Sequence, residues 1–266
     1  ITEATYMHNG SKKKLNFDIN KFKKFKDKIT YIVVDQPPPG LFVLNDNDSN
    51  ESKENKLILN GYKRDNFQRE MAHSALKDIN ENDWVIINDI DEIPNLKNIN
   101  FSKLNSKFII FKQQIFYYKF NLLYPNVPWF GSRACKAKNF ISPQWLRNVK
   151  HRKYPFWRID TLFSKRKYSD ISIINNGGWH FTNIKSAEDI EKKLLNYTHH
   201  YEFEQSGLKL KDIRKKISEK QIIYDHSLDQ RENKWKSDKK LQILDISFMP
   251  EYIIENLKKY SSWLES

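Results

Sequence analysis

The stretch DWVIINDIDEIP, residues 83–94, constrains the chain more than any other. Trp84-Val85-Ile86-Ile87 is short, apolar and β-branched, and predicts a buried strand over 84–88. It runs straight into three carboxylates, Asp89, Asp91 and Glu92. Like charges this close repel, and they shift one another's pKa upward unless solvated or neutralised. A solvated turn is one resolution. A divalent cation is the other, because Mg²⁺ and Mn²⁺ take one or two carboxylates together with phosphate oxygens and water. In an extended D-x-D, Asp89 and Asp91 point to the same side, and Pro94 stiffens the exit.

The flanking pattern predicts the setting. Residues 29–35, ITYIVVD, read as a strand closed by the loop Pro37–Gly40. Residues 44–56 are polar and without periodicity, which predicts a surface loop. Phe67, Met71, Ala75 and Ile79 recur every four residues, an amphipathic helix over 65–79 with Asp65 as its cap. One or two strands are expected over 107–120, an irregular Trp-, Pro-, Arg- and Tyr-rich segment over 121–160, and a strand at 171–174. Helices are expected from Ser186 onward, over 208–220 and over 249–264. Alternating strands and helices argue for an α/β layer fold. In such folds charged residues at a strand's carboxyl end sit where ligands bind.

Three further stretches carry chemistry. In NNGGWHF, residues 175–181, Gly177 and Gly178 permit close backbone approach and His180 follows at once. Neutral imidazole is a common ligand for transition metals, and with D-x-D it makes a mixed shell suited to Mn²⁺. A histidine between aromatics reads equally well as a core residue. Arg64 and Arg69 flank a helix start, where guanidinium forks suit phosphate. The opening TEATYMHNGSKKK sets Glu3, His8 and Gly10 before Lys12–Lys14.

Composition limits the function classes. Apolar residues are 39 % and aromatics 14 %, enough for a packed core, and the net charge is +13. That surplus favours an anionic partner, whether nucleic acid, acidic membrane or phosphorylated small molecule, or else only a solubilising lysine surface. One cysteine, Cys135, excludes an internal disulfide. No stretch approaches the ~20 apolar residues of a membrane span. No signal peptide is visible, which points to the cytoplasm, although a start without methionine reads as a processed or trimmed end.

Together these stretches resemble glycosyltransferase family 17, the β-1,4-mannosyl-glycoprotein β-1,4-N-acetylglucosaminyltransferases and their microbial or viral relatives. The family pattern E-A-x-x-T-H-x-G is met by Glu3-Ala4 through His8 and Gly10, with Met7 in place of the threonine. R-E-x-x-Q-R is met by Arg64, Gln68 and Arg69, with Asp65 in place of the glutamate. D-x-D-E-I-P is met in full by Asp89–Pro94, G-W-H plus an aromatic by Gly178–Phe181, and K-L…H by Lys193-Leu194 and His199. Tyr201 stands where the family has a carboxylate, and Glu202 follows it.

The resemblance implies a GT-A fold: a Rossmann-type, mostly parallel central sheet over residues 1–205, lacking the family's upstream strand and helix. A helical extension over 206–266 would pack on it. It implies a UDP-sugar donor, GlcNAc foremost, transfer with inversion, a glycan or glycoconjugate acceptor, and Mn²⁺ or Mg²⁺ held by Asp89, Asp91 and His180. Donor contacts would fall to Glu3, His8, Gly10, Lys13, Arg64, Gln68, Arg69, Asp89, Trp179, Lys193 and His199. Asp160 and Glu92 are the candidates for the base, and Trp129, Trp145 and Trp157 could stack on sugar rings. A metal-dependent phosphohydrolase or nuclease, or a sugar- or nucleic-acid-binding module without catalysis, are the competing readings. On the transferase reading no nucleic-acid partner and no membrane span are expected, and the oligomeric state is open.

Overall fold

A computed structural model describes residues 1–97, 99–196, 200–228 and 232–266. Its strands are β1 (Thr2–Ala4), β2 (Ile32–Val34), β3 (Trp84–Ile87), β4 (Glu92–Pro94), β5 (Phe108–Phe111), β6 (Gln113–Tyr117), β7 (Leu122–Trp129), β8 (Arg133–Lys136), β9 (Ile171–Ile174), β10 (Gly178–Thr182) and β11 (Gln242–Ile243). Its α-helices are α1 (Asn50–Glu70), α2 (Pro143–Asn148), α3 (Ala187–Leu195), α4 (His200–Ser206), α5 (Leu210–Ser218), α6 (Glu251–Glu255) and α7 (Leu257–Tyr260). The chain divides into two compact units. One holds Ile1–Ile79, Ser142–Gln144 and Lys192–Gly207, and the other holds the remainder. This division differs from the expected boundary at residue 205.

In the first unit β1 and β2 pair in parallel, Glu3 opposite Val33. Ala4, Tyr6 and Val34 form its core with Phe67 and Met71 of α1 and the turn that follows. The Gln68 amide extends the β1 edge, accepting from Ala4 N at 3.2 Å and donating to Thr2 O at 3.2 Å. Helix α1 begins at Asn50, capped by Ser49, so much of the segment expected as a loop is helical and Asp65 is not the cap. The polar first turns carry no apolar stripe, and the helical period emerges only near Phe67.

The second unit is built on a five-stranded sheet, β11-β7-β6-β10-β4, and a four-stranded sheet, β3-β8-β5-β9. The fold is α/β, as expected, but the sheets are mixed. Of the eight strand pairings among the described residues only β1–β2, β6–β10 and β5–β9 are parallel. The mostly parallel sheet is therefore corrected. Chain segments pass from one sheet into the other: β3 into β4, β5 into β6, β7 into β8, and β9 into β10. Each crossing is a corner. Lys112 N donates to Ile174 O at 3.0 Å, Gly177 N to Lys112 O at 2.9 Å, and Phe111 N to Ser132 O at 3.1 Å. β7 escaped the sequence pattern because Pro125, Asn126 and Pro128 interrupt it. The structure accommodates them with a register shift opposite Gln114 and Ile115 and a positive φ of 62° at Asn126.

Phe108, Ile110, Cys135, Leu146, Val149 and Ile171 form one buried cluster, and Phe116, Phe181, Met249 and Ile253 another. At the last corner Gly178 has φ 118°, and a side chain there would overlap the carbonyl of Ile93. Gly178→Ala therefore combines backbone strain with a clash. We expect a lower urea midpoint at unchanged slope, a loss of about 2–4 kcal/mol; an unshifted midpoint would show that the corner relaxes.

Candidate functional site

The acidic motif occupies the β3–β4 corner, as a turn rather than an extended D-x-D: Glu92 N donates to Asp89 O at 3.0 Å. Two of its three carboxylates share Arg147, and the third, Asp91, meets His180. Glu92 is 1 % exposed and meets the guanidinium fork of Arg147, at 2.8 Å from Nη1 to Oε2 and 2.5 Å from Nη2 to Oε1. Trp129 Nε1 donates to Oε1 at 2.6 Å, and Asp89 N donates to Oε2 at 3.1 Å. Arg147 Nη2 also bonds Asp89 Oδ2 at 2.7 Å. The charge conflict is thus relieved in part by an arginine. Gly131 lies against the Glu92 carboxylate, leaving no room for a side chain.

Asp91 lies against His180. Its backbone carbonyl accepts from Phe181 N at 2.8 Å, and its Oδ2 lies 3.5 Å from His180 Nε2. His180 stands opposite Glu92 in the β4–β10 ladder. It is nearly buried, and its Nδ1 has no hydrogen-bond partner. The Trp129 ring covers it, stacked at 4.4 Å and 18°, so Trp129 joins the Glu92 carboxylate to the His180 imidazole. Strand alternation sends Trp179 and Phe181 to the opposite face, into the cluster with Met249. Trp179 Nε1 bonds Phe248 O at 2.8 Å.

Against the expected metal set, Asp91 and His180 come together and Asp89 is turned to Arg147. Among the described residues no group of three or more His, Cys, Asp or Glu side chains is gathered as a metal cluster. The nitrogen that faces Asp91 is Nε2, so the pair offers one oxygen and one nitrogen to a cation that completes its shell from phosphate and water, and the unpartnered Nδ1 is not part of it. Of the two base candidates, Glu92 is buried beneath Arg147 and Trp129. Asp160 lies on an exposed turn bonded by Arg158 at 2.8 Å and Lys167 at 2.9 Å, and those two cations lower its pKa.

The first unit gathers most of the expected donor contacts. Glu3 is buried, and its carboxylate accepts from Lys13 Nζ at 2.8 Å, Asn16 N at 2.8 Å, Phe17 N at 3.0 Å and the Tyr31 hydroxyl at 3.0 Å. It pins the segment that follows β1. Burial alone would raise its pKa, and these donors outweigh it and bring it down to about 2. Arg64 bonds His8 O at 2.7 Å and lies under Gly10, whose φ is 90°. Burial lowers the His8 pKa, the nearby Arg64, Arg69 and Lys13 charges adding to it and Asp65 opposing. Arg69 bonds Gln144 and, at 3.1 Å, Asp65. Glu70 accepts from Ser142 Oγ at 2.7 Å and Gln144 N at 2.9 Å. Lys193 lies on α3, half-buried. His199 lies outside the described residues.

Arg147 was missed in the sequence, where it is one arginine in an irregular basic segment. The only signal was indirect: three clustered carboxylates demand a cation, and an arginine inside the apolar WLRNV can supply one. No family model, curated protein or solved structure matches the chain.

Two outcomes follow. Arg147→Met leaves two carboxylates uncompensated, one fully buried, and should cost about 3–5 kcal/mol, whereas Arg147→Lys should lose less; denaturant unfolding of both measures it. Glu3, with a folded pKa below its ordinary 4.5, contributes stability that is full above about pH 4.5 and lost as pH falls through about 2. The stability difference between the native chain and Glu3→Gln should be about 1–2 kcal/mol at pH 7, solvent screening allowed for, and should shrink across that window; a pH-independent difference would refute it.

Proposed function

We propose that the chain is a metal-dependent glycosyltransferase of GT-A type that uses a UDP-sugar, with GlcNAc the sugar the family resemblance implies. The observation that carries the reading is the Asp91–His180 pair, 3.5 Å apart. It lies at a sheet corner whose other two carboxylates are already neutralised by Arg147. Asp91 and His180 would hold Mn²⁺ or Mg²⁺ on the donor diphosphate, and the ion would supply charge neutralisation at the leaving group.

The chain's own residues then divide the remaining work. Arg147 and Glu92 fix the turn so that Asp91 need not reorganise when the donor binds. Trp129 stacks on His180 and keeps water from one face of the imidazole. In the transfer an acceptor hydroxyl oxygen bonds to the anomeric carbon as the bond from that carbon to the diphosphate oxygen breaks. UDP departs with the electron pair, and the hydroxyl proton leaves to a base.

Calorimetric titration of UDP with and without Mn²⁺ tests the reading. Binding should require the metal and weaken at least about tenfold, 1.4 kcal/mol, in Asp91→Ala. Equal UDP affinity without metal, or in the variant, would overturn it.

A further inference from the structure

A second feature lies outside this site, in the segment between α2 and β9. Phe156, Trp157, Ile159, Leu162 and Phe163 are 70–84 % exposed. Isolated exposed apolar side chains are ordinary, but five within eight residues, Phe156 and Trp157 in ring contact at 5.1 Å, mark an interaction surface. The exposure is built in by the polar framework around it. The base of the segment is tied by Lys150 N to Arg166 O at 2.8 Å, Tyr154 N to Tyr168 O at 3.2 Å, and Trp145 Nε1 to Lys165 O at 2.7 Å. His151 stacks on Phe130 at 4.3 Å and 7°. Within the segment Asp160 is clamped by Arg158 and Lys167, and both cations face the Tyr154 ring at 5.2 and 5.8 Å. This clamp satisfies the loop's one carboxylate at the surface, beside the exposed apolar side chains.

The charge pattern identifies the partner. From Lys150 to Lys167 there are seven lysines and arginines and one carboxylate, Asp160. Asp160 is already neutralised within the loop. Arg152, Lys153, Lys165 and Arg166 are exposed, and none has an ion-pair partner among the described residues. An open cavity of about 500 Å³, lined by Lys153, Phe156, Trp157 and Asp170, lies beside the ridge. We propose that this segment docks the protein on an anionic lipid surface. The Phe156–Phe163 ridge would enter the boundary between headgroups and acyl chains, and Arg152, Lys153, Lys165 and Arg166 would meet the lipid phosphates. Tryptophan and phenylalanine are suited to that boundary, where one side is apolar and the other wet. A second copy of the chain fits poorly, because it would bring the same cation excess face to face. The attachment is peripheral, since no helix among the described residues is long and apolar enough to cross a membrane. It stands independently of the donor-site reading.

Co-sedimentation of the full chain with vesicles tests it, using phosphatidylcholine alone and phosphatidylcholine containing about 30 % phosphatidylserine. Binding is expected only with the anionic lipid, weakening as salt is raised. It should fall more than about tenfold in Phe156→Ser/Trp157→Ser and in the charge reversal of Arg152, Lys153, Lys165 and Arg166 to Glu. Both sets of changes are on the surface, and circular dichroism checks that the fold is kept. Brominated lipids should quench tryptophan emission in the native chain and less in Trp157→Phe. No sedimentation with anionic vesicles overturns the proposal. So does binding that survives Phe156→Ser/Trp157→Ser without quenching, which would be adsorption by charge alone. A concentration-dependent dimer abolished by Phe156→Ser/Trp157→Ser would overturn it in favour of a second copy.

Discussion

The fork of Arg147 on Glu92 and Asp89 is the interaction on which the acidic corner depends. A buried carboxylate is tolerated only when paired and when its remaining lone pairs are occupied. Glu92 meets both conditions through Arg147, the Trp129 indole and the backbone N–H of Asp89. The consequence reaches further than Glu92. With two of the three charges absorbed, Asp91 turns toward His180, and Trp129 binds the buried carboxylate at its nitrogen while covering the imidazole with its ring. Arg147, Glu92, Trp129, His180 and Asp91 form one connected set of contacts, anchored at a position far from D-x-D in the sequence.

That set exists because the strands change sheets. At a crossing the ladder breaks, and backbone groups that a straight strand would pair within one sheet are bonded across the corner instead, as Lys112, Gly177 and Ser132 are. Side chains of residues close in sequence can then diverge by more than strand alternation allows. Asp89 and Glu92 share Arg147, while Asp91 between them reaches His180. The site is a corner of two mixed sheets, and its position owes nothing to the carboxyl edge of a parallel sheet that alternation of strands and helices suggested.

Local signals were legible where one physical cause dominated. β3, β9 and α5 follow from short apolar runs and helical spacing; His180 was expected near the acidic turn only as a metal ligand that the family resemblance implied, and the structure places it 3.5 Å from Asp91. Elements set by tertiary context were not. The polar first turns of α1 carry no period, and β7 contains two prolines placed where its register shifts. Glu3 was expected as a donor contact because the family resemblance implies one. In the structure its charge is consumed by donors from four residues within thirty positions, Lys13, Asn16, Phe17 and Tyr31. Asp160, also a lone acid among cations, closes a loop. A sequence supplies the charge and leaves open which cation answers it.

The same ambiguity surrounds the cation excess of the whole chain, and the structure resolves it by burial. Arg147 points inward at 13 % side-chain exposure and completes the acidic corner. Lys150, three residues on, bonds through its backbone to Arg166 and opens the segment whose arginines and lysines point outward. Leu146 and Val149, both buried in the cluster around Phe108, hold that stretch in place between them. The acidic corner and the apolar ridge therefore share one footing in the core. A change that unseats Leu146 or Val149 acts on both, whereas a substitution at Phe156 or Trp157 touches neither the corner nor the cluster.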